Sequence, residues 1–259
     1  MNTKLAFFLG LIIVMGLVAS YTILFLTETS EKNLGKGELR IVSHIGYVES
    51  VENVTFFTVK GIVQNNYAIN MRDIMINATF YDVEKRAIGN AYGYAAFTIV
   101  KPEQKTPFDV YVSYRRVQGV YNYSLTVVGI KTDEEPINKL QIANESSTVE
   151  EAYYRVVGEV LNEARRKAVL VKVICAYYDS EDNLMAMSRA FTSPNSIGAG
   201  GKASFEINLE AEGIIPDKFE LFVVPHHYEV LFVGNYVLLI ILISAFVVFV
   251  VYMKHKRGW

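Results

Sequence analysis

The stretch IMINATFYD, residues 74–82, alternates strictly: Ile74, Ile76, Ala78 and Phe80 fall on one face of an extended chain, while Met75, Asn77, Thr79 and Tyr81 fall on the other. Period two marks a half-buried strand. At a spacing of 97 residues the chain reads VKVICAYYD, 171–179, which keeps that register with Val171, Val173, Cys175 and Tyr177. The same spacing lays FFTVKGIVQNN (56–66) over YYRVVGEVLNE (153–163), pairing Val59 with Val156, Gly61 with Gly158, Val63 with Val160 and Asn65 with Asn162. Phe108 falls over Phe205, and near the end of each unit YSLTVV (123–128) matches FELFVV (219–224) at a spacing of 96. One unit is written twice.

Runs rich in Val, Ile, Tyr, Phe and Thr suit a pleated, half-buried surface. Between them stand turn sequences such as VQNN, DVEKR, VKPEQ, DSEDN and SPNSIGAGG. LNEARRKAVLV has helical propensity, but its counterpart VQNNYAINMRD does not, so a hairpin connection is expected in both copies. Short strands separated by turns, with no amphipathic helix, predict an all-β chain of two tandem β-sandwich domains, 37–130 and 138–228. The polar segment KTDEEPINK with Pro136 joins them.

Two apolar runs of 23 residues, 5–27 and 231–253, flank the duplicated part, and each is long enough for a transmembrane helix. Lys254, Lys256 and Arg257 follow the second run in the tail 254–259, which the positive-inside rule assigns to the cytoplasm. The first run is expected to be a signal anchor, with cleavage after Ser20 as the rival reading. Residues 28–230 are thereby expected outside the cell membrane. That segment holds all 27 acidic residues and 21 of the 25 basic ones, a formal charge of −6. No basic stripe is evident along it, which argues against a nucleic-acid or an anionic-lipid surface, since both require clustered positive charge.

A strand carrying V-x-G-x-V-x-N, then a strand ending in Tyr-Asp, then a Pro- or Gly-containing loop before a Phe-led strand resembles FxLYD domains of bacterial and archaeal surface proteins. The motif's last positions are Tyr81-Asp82 and Tyr178-Asp179. Its Leu position holds Phe80 or Tyr177, and Ala78 or Cys175 replaces its leading Phe. The resemblance implies an immunoglobulin-like sandwich in each copy, with Gly61, Tyr81, Asp82, Gly158, Tyr178 and Asp179 as structural motif residues. It implies no catalytic residue and no cofactor.

Candidate chemistry is sparse. Asp82 and Asp179 each end a strand where an Asp side chain can fix the following turn. His226 and His227 are adjacent, so an extended chain points them to opposite sides, and neither they nor the acidic run DSEDN makes a metal site. The lone Cys175 excludes an intrachain disulfide and sits at an inward strand position. Asn53, Asn77, Asn122 and Asn144 each begin a glycosylation sequon. Tyr92 and Tyr94 alternate onto one face with Asn90, a candidate strip for sugar stacking. The expected function is non-enzymatic: a membrane-tethered structural, adhesion or interaction module. Its partners would be the lipid bilayer and another membrane or envelope protein, with no small-molecule substrate evident. The alternative is an accessory subunit of a membrane transport or secretion complex, for which Gly10, Gly16, Ala19 and Ser20 offer a close-packing helix surface.

Overall fold

The computed structural model describes residues 39–51, 54–150, 153–210 and 215–228. Both apolar runs, the basic tail and Asn53 lie outside these residues. Among the described residues no helix is long and apolar enough to cross a membrane. The described residues are all-β and antiparallel, and the chain divides into two compact units between Pro136 and Ile137.

Unit 1 contains β1 (Leu39–Val51), β2 (Val54–Asn65), β3 (Asn70–Tyr81), β4 (Ala87–Tyr94), β5 (Ile99–Val100), β6 (Lys105–Ser113) and β7 (Asn122–Thr132). One sheet runs β1-β2-β6, and in the other β3 pairs with β4, β5 and β7. Burial along β3 alternates as its sequence pattern demands. Its inward residues Ile74, Ile76, Ala78 and Phe80 share one core with Phe57, Val59 and Val63 of β2 and Phe108, Val110 and Val112 of β6. Each fully buried side chain of this kind stabilises the unit by roughly 1.5–3 kcal/mol.

Unit 2 contains β8 (Leu140–Val149), β9 (Tyr153–Asn162), β10 (Ala168–Val169), β11 (Lys172–Tyr178), β12 (Leu184–Phe191), β13 (Lys202–Glu210), β14 (Lys218–Val224) and β15 (His227–Tyr228). Its sheets run β8-β9-β13 and β12-β11-β14, and β10 pairs with β15. The order repeats that of unit 1, with β3 answered by β10 and β11 together, β7 by β14 and β15 together, and β5 by the single bridge between Ala168 and Ile197. LNEARRKAVLV is no helix: β9 ends at Asn162 and β10 begins at Ala168.

The repetition extends to single contacts. In unit 1 Phe57 meets Phe80 and Tyr123 edge to face, with centroids 5.4 and 6.0 Å apart. In unit 2 Tyr154 meets Tyr177 and Phe219 in the same manner, at 5.8 and 6.5 Å. Left-handed backbone recurs at Asp73 and Leu170, at Lys85 and Asp182, and at Glu103 and Gly200, each pair separated by the repeat spacing. Gly61 lies across the ladder from Phe108, and Gly158 from Phe205. A Cβ built on Gly61 would stand 2.6 Å from the Phe108 ring and 2.6 Å from the Ser43 carbonyl, and one on Gly158 would stand 2.7 Å from the Phe205 ring. The aromatic ring covers the glycine and needs its missing side chain.

The unit 2 core carries polar atoms where unit 1 has none, with Tyr154 for Phe57, Cys175 for Ala78 and Tyr177 for Phe80. Tyr177 is fully buried, and its hydroxyl lies by the Cys175 and Ser188 side chains without making a well-formed hydrogen bond among the described residues. Burial, with Cys175 beside it, pushes that hydroxyl's pKa up. Tyr177→Phe is expected to raise stability by about 1 kcal/mol, the lower end of the cost of an unpaired buried hydroxyl. Urea unfolding checks it: a lower midpoint would mean that the hydroxyl has a partner.

Candidate binding face

Two surfaces emerge when the outward sides of β3 and β11 are compared. On unit 1 the cross-strand rows are Tyr94, Met75 and Val128; Tyr92, Asn77 and Thr126; and Asn90, Thr79 and Ser124. Tyr92 is 66% exposed and Tyr94 58%, their rings 6.1 Å apart and nearly perpendicular. The Tyr81 hydroxyl and Ser124 Oγ lie 3.1 Å apart at the end of this face. These three rows carry aromatic rings, amides and hydroxyls without a charge. Exposed tyrosines with adaptable polar neighbours are the composition of a protein interface.

In unit 2 the equivalent positions read Ile174 for Asn77, Ala176 for Thr79, Met187 for Asn90 and Phe222 for Thr126. All four are buried, and Tyr178 is buried beside them with its hydroxyl donating to Glu220 Oε2 at 3.3 Å. The strand KVICAYY is apolar on both sides, as strands covered on both faces are. At the β12 edge of the same face Arg189 stands for Tyr92 and Phe191, 58% exposed, for Tyr94, so what belongs to unit 1 alone is the open, uncharged polar centre of the face.

The sequons fall in different settings. Asn77 sits half-buried at the centre of the unit 1 face, so a glycan there would cover it. Asn122 is exposed at the start of β7, its Oδ1 accepting the Tyr123 N–H at 2.8 Å. Asn144 has a φ of 56° in the β8 bulge and donates to Glu159 Oε2 at 2.9 Å. Asn144 also lines a shallow hollow of about 510 Å³ with Phe191, Glu159 and Glu206. The carboxylates there are engaged, Glu159 by Lys202 at 2.7 Å and Glu206 by Arg155 at 2.6 Å.

Asp82 and Asp179 fasten turns. Asp82 Oδ1 accepts the N–H groups of Glu84 and Arg86 at 2.9 Å each, and Oδ2 accepts from Arg86 Nε at 2.8 Å. Asp179 Oδ1 accepts from Glu181 at 2.9 Å and Asn183 at 2.8 Å, and Oδ2 takes the Asn183 amide at 2.9 Å. These bonds hold both carboxyls below the usual carboxylate range, the Arg86 backbone N–H acting most strongly on Asp82 and the Asn183 side chain on Asp179. A depressed carboxyl pKa contributes stability that is complete above the unfolded value near 3.8 and is lost as pH falls through the folded one. The unfolding midpoint is expected to drop below about pH 4. Replacing both residues by Asn, which keeps an acceptor without a titrating proton, should flatten that drop; an unchanged acid limb would assign it to other carboxyls.

The remaining candidates lie elsewhere. His226 and His227 are both exposed and, against the expectation of opposite sides, their rings meet edge to face with centroids 5.3 Å apart, while no further candidate ligand joins them among the described residues. Among the described residues no three His, Cys, Asp or Glu side chains gather as a metal site. Cys175 is buried, and desolvation pushes its thiol up to about 12, which leaves no thiolate at neutral pH. Sequence reasoning found Tyr92 and Tyr94 but missed Asn77, Thr79 and Thr126 as their neighbours. Aligning the outward residues of the two copies, as was done for the inward ones, supplies the missing signal.

Comparison with known proteins adds little. No protein-family model matches the chain. No curated protein matches it. Among solved structures, red sea bream transglutaminase is 11% identical, with 73% of this chain covering 32% of that one at a TM-score of 0.20. A calcium-binding mutant of Bacteroides uniformis beta-glucuronidase 2 is 14% identical, with 70% covering 24% at a TM-score of 0.18. The chain thus spans about a third and a quarter of those two proteins.

Proposed function

We propose that this protein is a membrane-tethered, extracytoplasmic interaction module. In this reading both units are immunoglobulin-like sandwiches of the FxLYD kind, and the unit 1 face of Tyr92, Tyr94 and Asn77 receives another envelope protein. The sheet orders β1-β2-β6 and β4-β3-β7 support the sandwich reading, since two facing antiparallel sheets around one core are its architecture. One observation carries the functional reading: two copies that agree in turns, core rings and left-handed positions diverge at the centre of this face, which is polar and open to solvent in unit 1 and apolar and buried in unit 2. The reading is non-enzymatic, because the motif aspartates are spent on turns and the carboxylates of the unit 2 hollow on ion pairs.

Photo-crosslinking on whole cells tests it. A photoreactive residue at Tyr92 is expected to yield one discrete adduct that Tyr94→Ser abolishes, whereas the same residue at Val83, 70% exposed in the β3–β4 turn, yields none. Equal labelling at both positions, or none at either, would reduce the protein to a spacer. Protection of residues 40–225 from external protease would sink the outside placement.

A further inference from the structure

We infer that the end of unit 2 from which the chain leaves toward the run 231–253 docks on anionic phospholipid headgroups through a basic turn. The inference rests on that run crossing a membrane, as proposed above. The turn 163–167 carries Arg165, Arg166 and Lys167, all exposed. Its position is fixed by hydrogen bonds: Asn162 Nδ2 donates to the Arg166 carbonyl at 2.8 Å, and Asn162 Oδ1 accepts the Ala164 N–H at 3.0 Å. The next residue, Ala168, is the cross-strand partner of Tyr228. Tyr228 is itself pinned, its hydroxyl oxygen accepting the Lys139 N–H at 3.0 Å, and the exposed Lys139 adds a fourth cation at this end.

Chain length brings these cations to the membrane. Leu231 lies three residues beyond Tyr228, a reach of at most about 11 Å for extended chain. The headgroup zone on each side of the hydrocarbon is roughly 5–8 Å deep. Guanidinium groups on the turn therefore fall within about one Debye length, roughly 8–10 Å, of headgroup phosphates. Neither Arg165 nor Arg166 forms an ion pair among the described residues. The nearby Glu163 carboxylate, which accepts from the Gln141 amide at 2.6 Å, offsets one of these cations and leaves the turn net positive.

The other copy is the control. The residues that align with Arg165, Arg166 and Lys167 at the repeat spacing are Ala68, Ile69 and Asn70, none of them charged. The Asn65 bonds nevertheless hold the unit 1 loop as the Asn162 bonds hold this one, with Asn65 Nδ2 donating to the Ile69 carbonyl at 2.9 Å. The scaffold is thus indifferent to the charge, and the cations occur only in the copy adjoining the second apolar run. Leu170, 39% exposed beside the turn, supplies an apolar contact at the same end.

The test uses the full chain in lipid nanodiscs, with Asn195→Cys carrying a dye in the neighbouring loop and a nitroxide quencher on the headgroups. Asn195 is exposed, and its carbonyl accepts the Val171 N–H at 2.7 Å, so it reports on this end. Quenching is expected to be stronger in discs containing phosphatidylglycerol than in phosphatidylcholine discs, and to weaken as salt is raised. Substituting Arg165→Gln, Arg166→Gln and Lys167→Gln together should lower the docked-to-free ratio by roughly fivefold per cation, on the order of a hundredfold in all. Equal quenching in both discs, or quenching that the triple variant leaves unchanged, overturns the inference. Alkaline extraction from neutral vesicles separates the two levels: a retained chain without headgroup preference sinks docking alone, and a released chain sinks the anchor and docking together. An unchanged thermal midpoint verifies that the variant folds.

Discussion

Asn162→Ala is expected to lower the stability of unit 2 by about 3 kcal/mol, the cost of leaving two buried groups without partners. Asn162 is fully buried; its Nδ2 donates to the carbonyls of Arg166 and Ile197 at 2.8 Å each and approaches that of Gly198 at 3.1 Å, while its Oδ1 accepts the Ala164 N–H. One amide thus ties the end of β9 to the loop that follows and to the loop before β13. Alanine strands the Ala164 N–H and the Arg166 carbonyl, and it takes one bond each from the Ile197 and Gly198 carbonyls, which keep the N–H groups of Ala168 and Gly201. Asn65→Ala should act alike in unit 1, where Asn65 Nδ2 reaches the carbonyls of Ile69 and Val100 at 2.9 Å each and Oδ1 accepts the Tyr67 N–H at 3.0 Å. Asn162→Asp should be at least as damaging at neutral pH, because it turns a carboxylate toward carbonyl oxygens. Urea unfolding of the single variants measures all three, and a loss under about 1 kcal/mol would show that water replaces the amide.

Gly93→Ala is expected to cost about 3 kcal/mol or more, in the range of overpacking that forces backbone to move. An added Cβ would stand 1.9 Å from the Asp109 carbonyl oxygen and 3.2 Å from Val110 Cγ2. Backbone, not the end of a flexible side chain, blocks it. Gly93 lies on β4 just before that strand reaches toward β6, where Ala95 bridges Phe108 and the Ala96 N–H donates to Pro107. Separating those strands would open one side of the unit 1 core. Gly198→Ala serves as the control: its Cβ would meet nothing within 4 Å, so the midpoint should move little. Equal effects at the two positions would contradict the close approach. In unit 2 the matching residue is Ala190, so this constraint belongs to one copy.

Gly93 also marks where the sequence stopped being legible. Inward residues could be read because burial selects apolar side chains at a fixed period, and β3 alternates as written. Gly61, Gly158, Asn65 and Asn162 could be flagged because both copies keep them. Left-handed backbone at Asp73 and Leu170, at Lys85 and Asp182, and at Glu103 and Gly200 could not, since no side chain is shared although the φ angles are. A turn held by main-chain bonds leaves its side chains free to drift. The binding face was half-visible: Tyr92 and Tyr94 lie close together in sequence, but Asn77 and Thr126 join them only through cross-strand pairing. Net charge was legible, but its distribution was not. A balance of −6 over residues 28–230 says nothing of placement, whereas the fold bonds the Lys139 carbonyl to the Glu163 N–H at the start of the turn that carries Arg165, Arg166 and Lys167.

Two near-identical scaffolds in one chain pose a problem of strand assignment during folding, because each unit is a template on which the other's strands could pair. The outward residues of β3 and β11 set against such an exchange. A β3 strand lodged in the unit 2 sheet would carry Asn77 and Thr79 into positions where Ile174 and Ala176 are buried, at a cost of roughly 1–3 kcal/mol for each polar group left dry. The reverse exchange would bring Ile174 and Ala176 out onto a face that unit 1 leaves wet. The residues that separate the two copies in their surfaces also sort each strand to its own sheet.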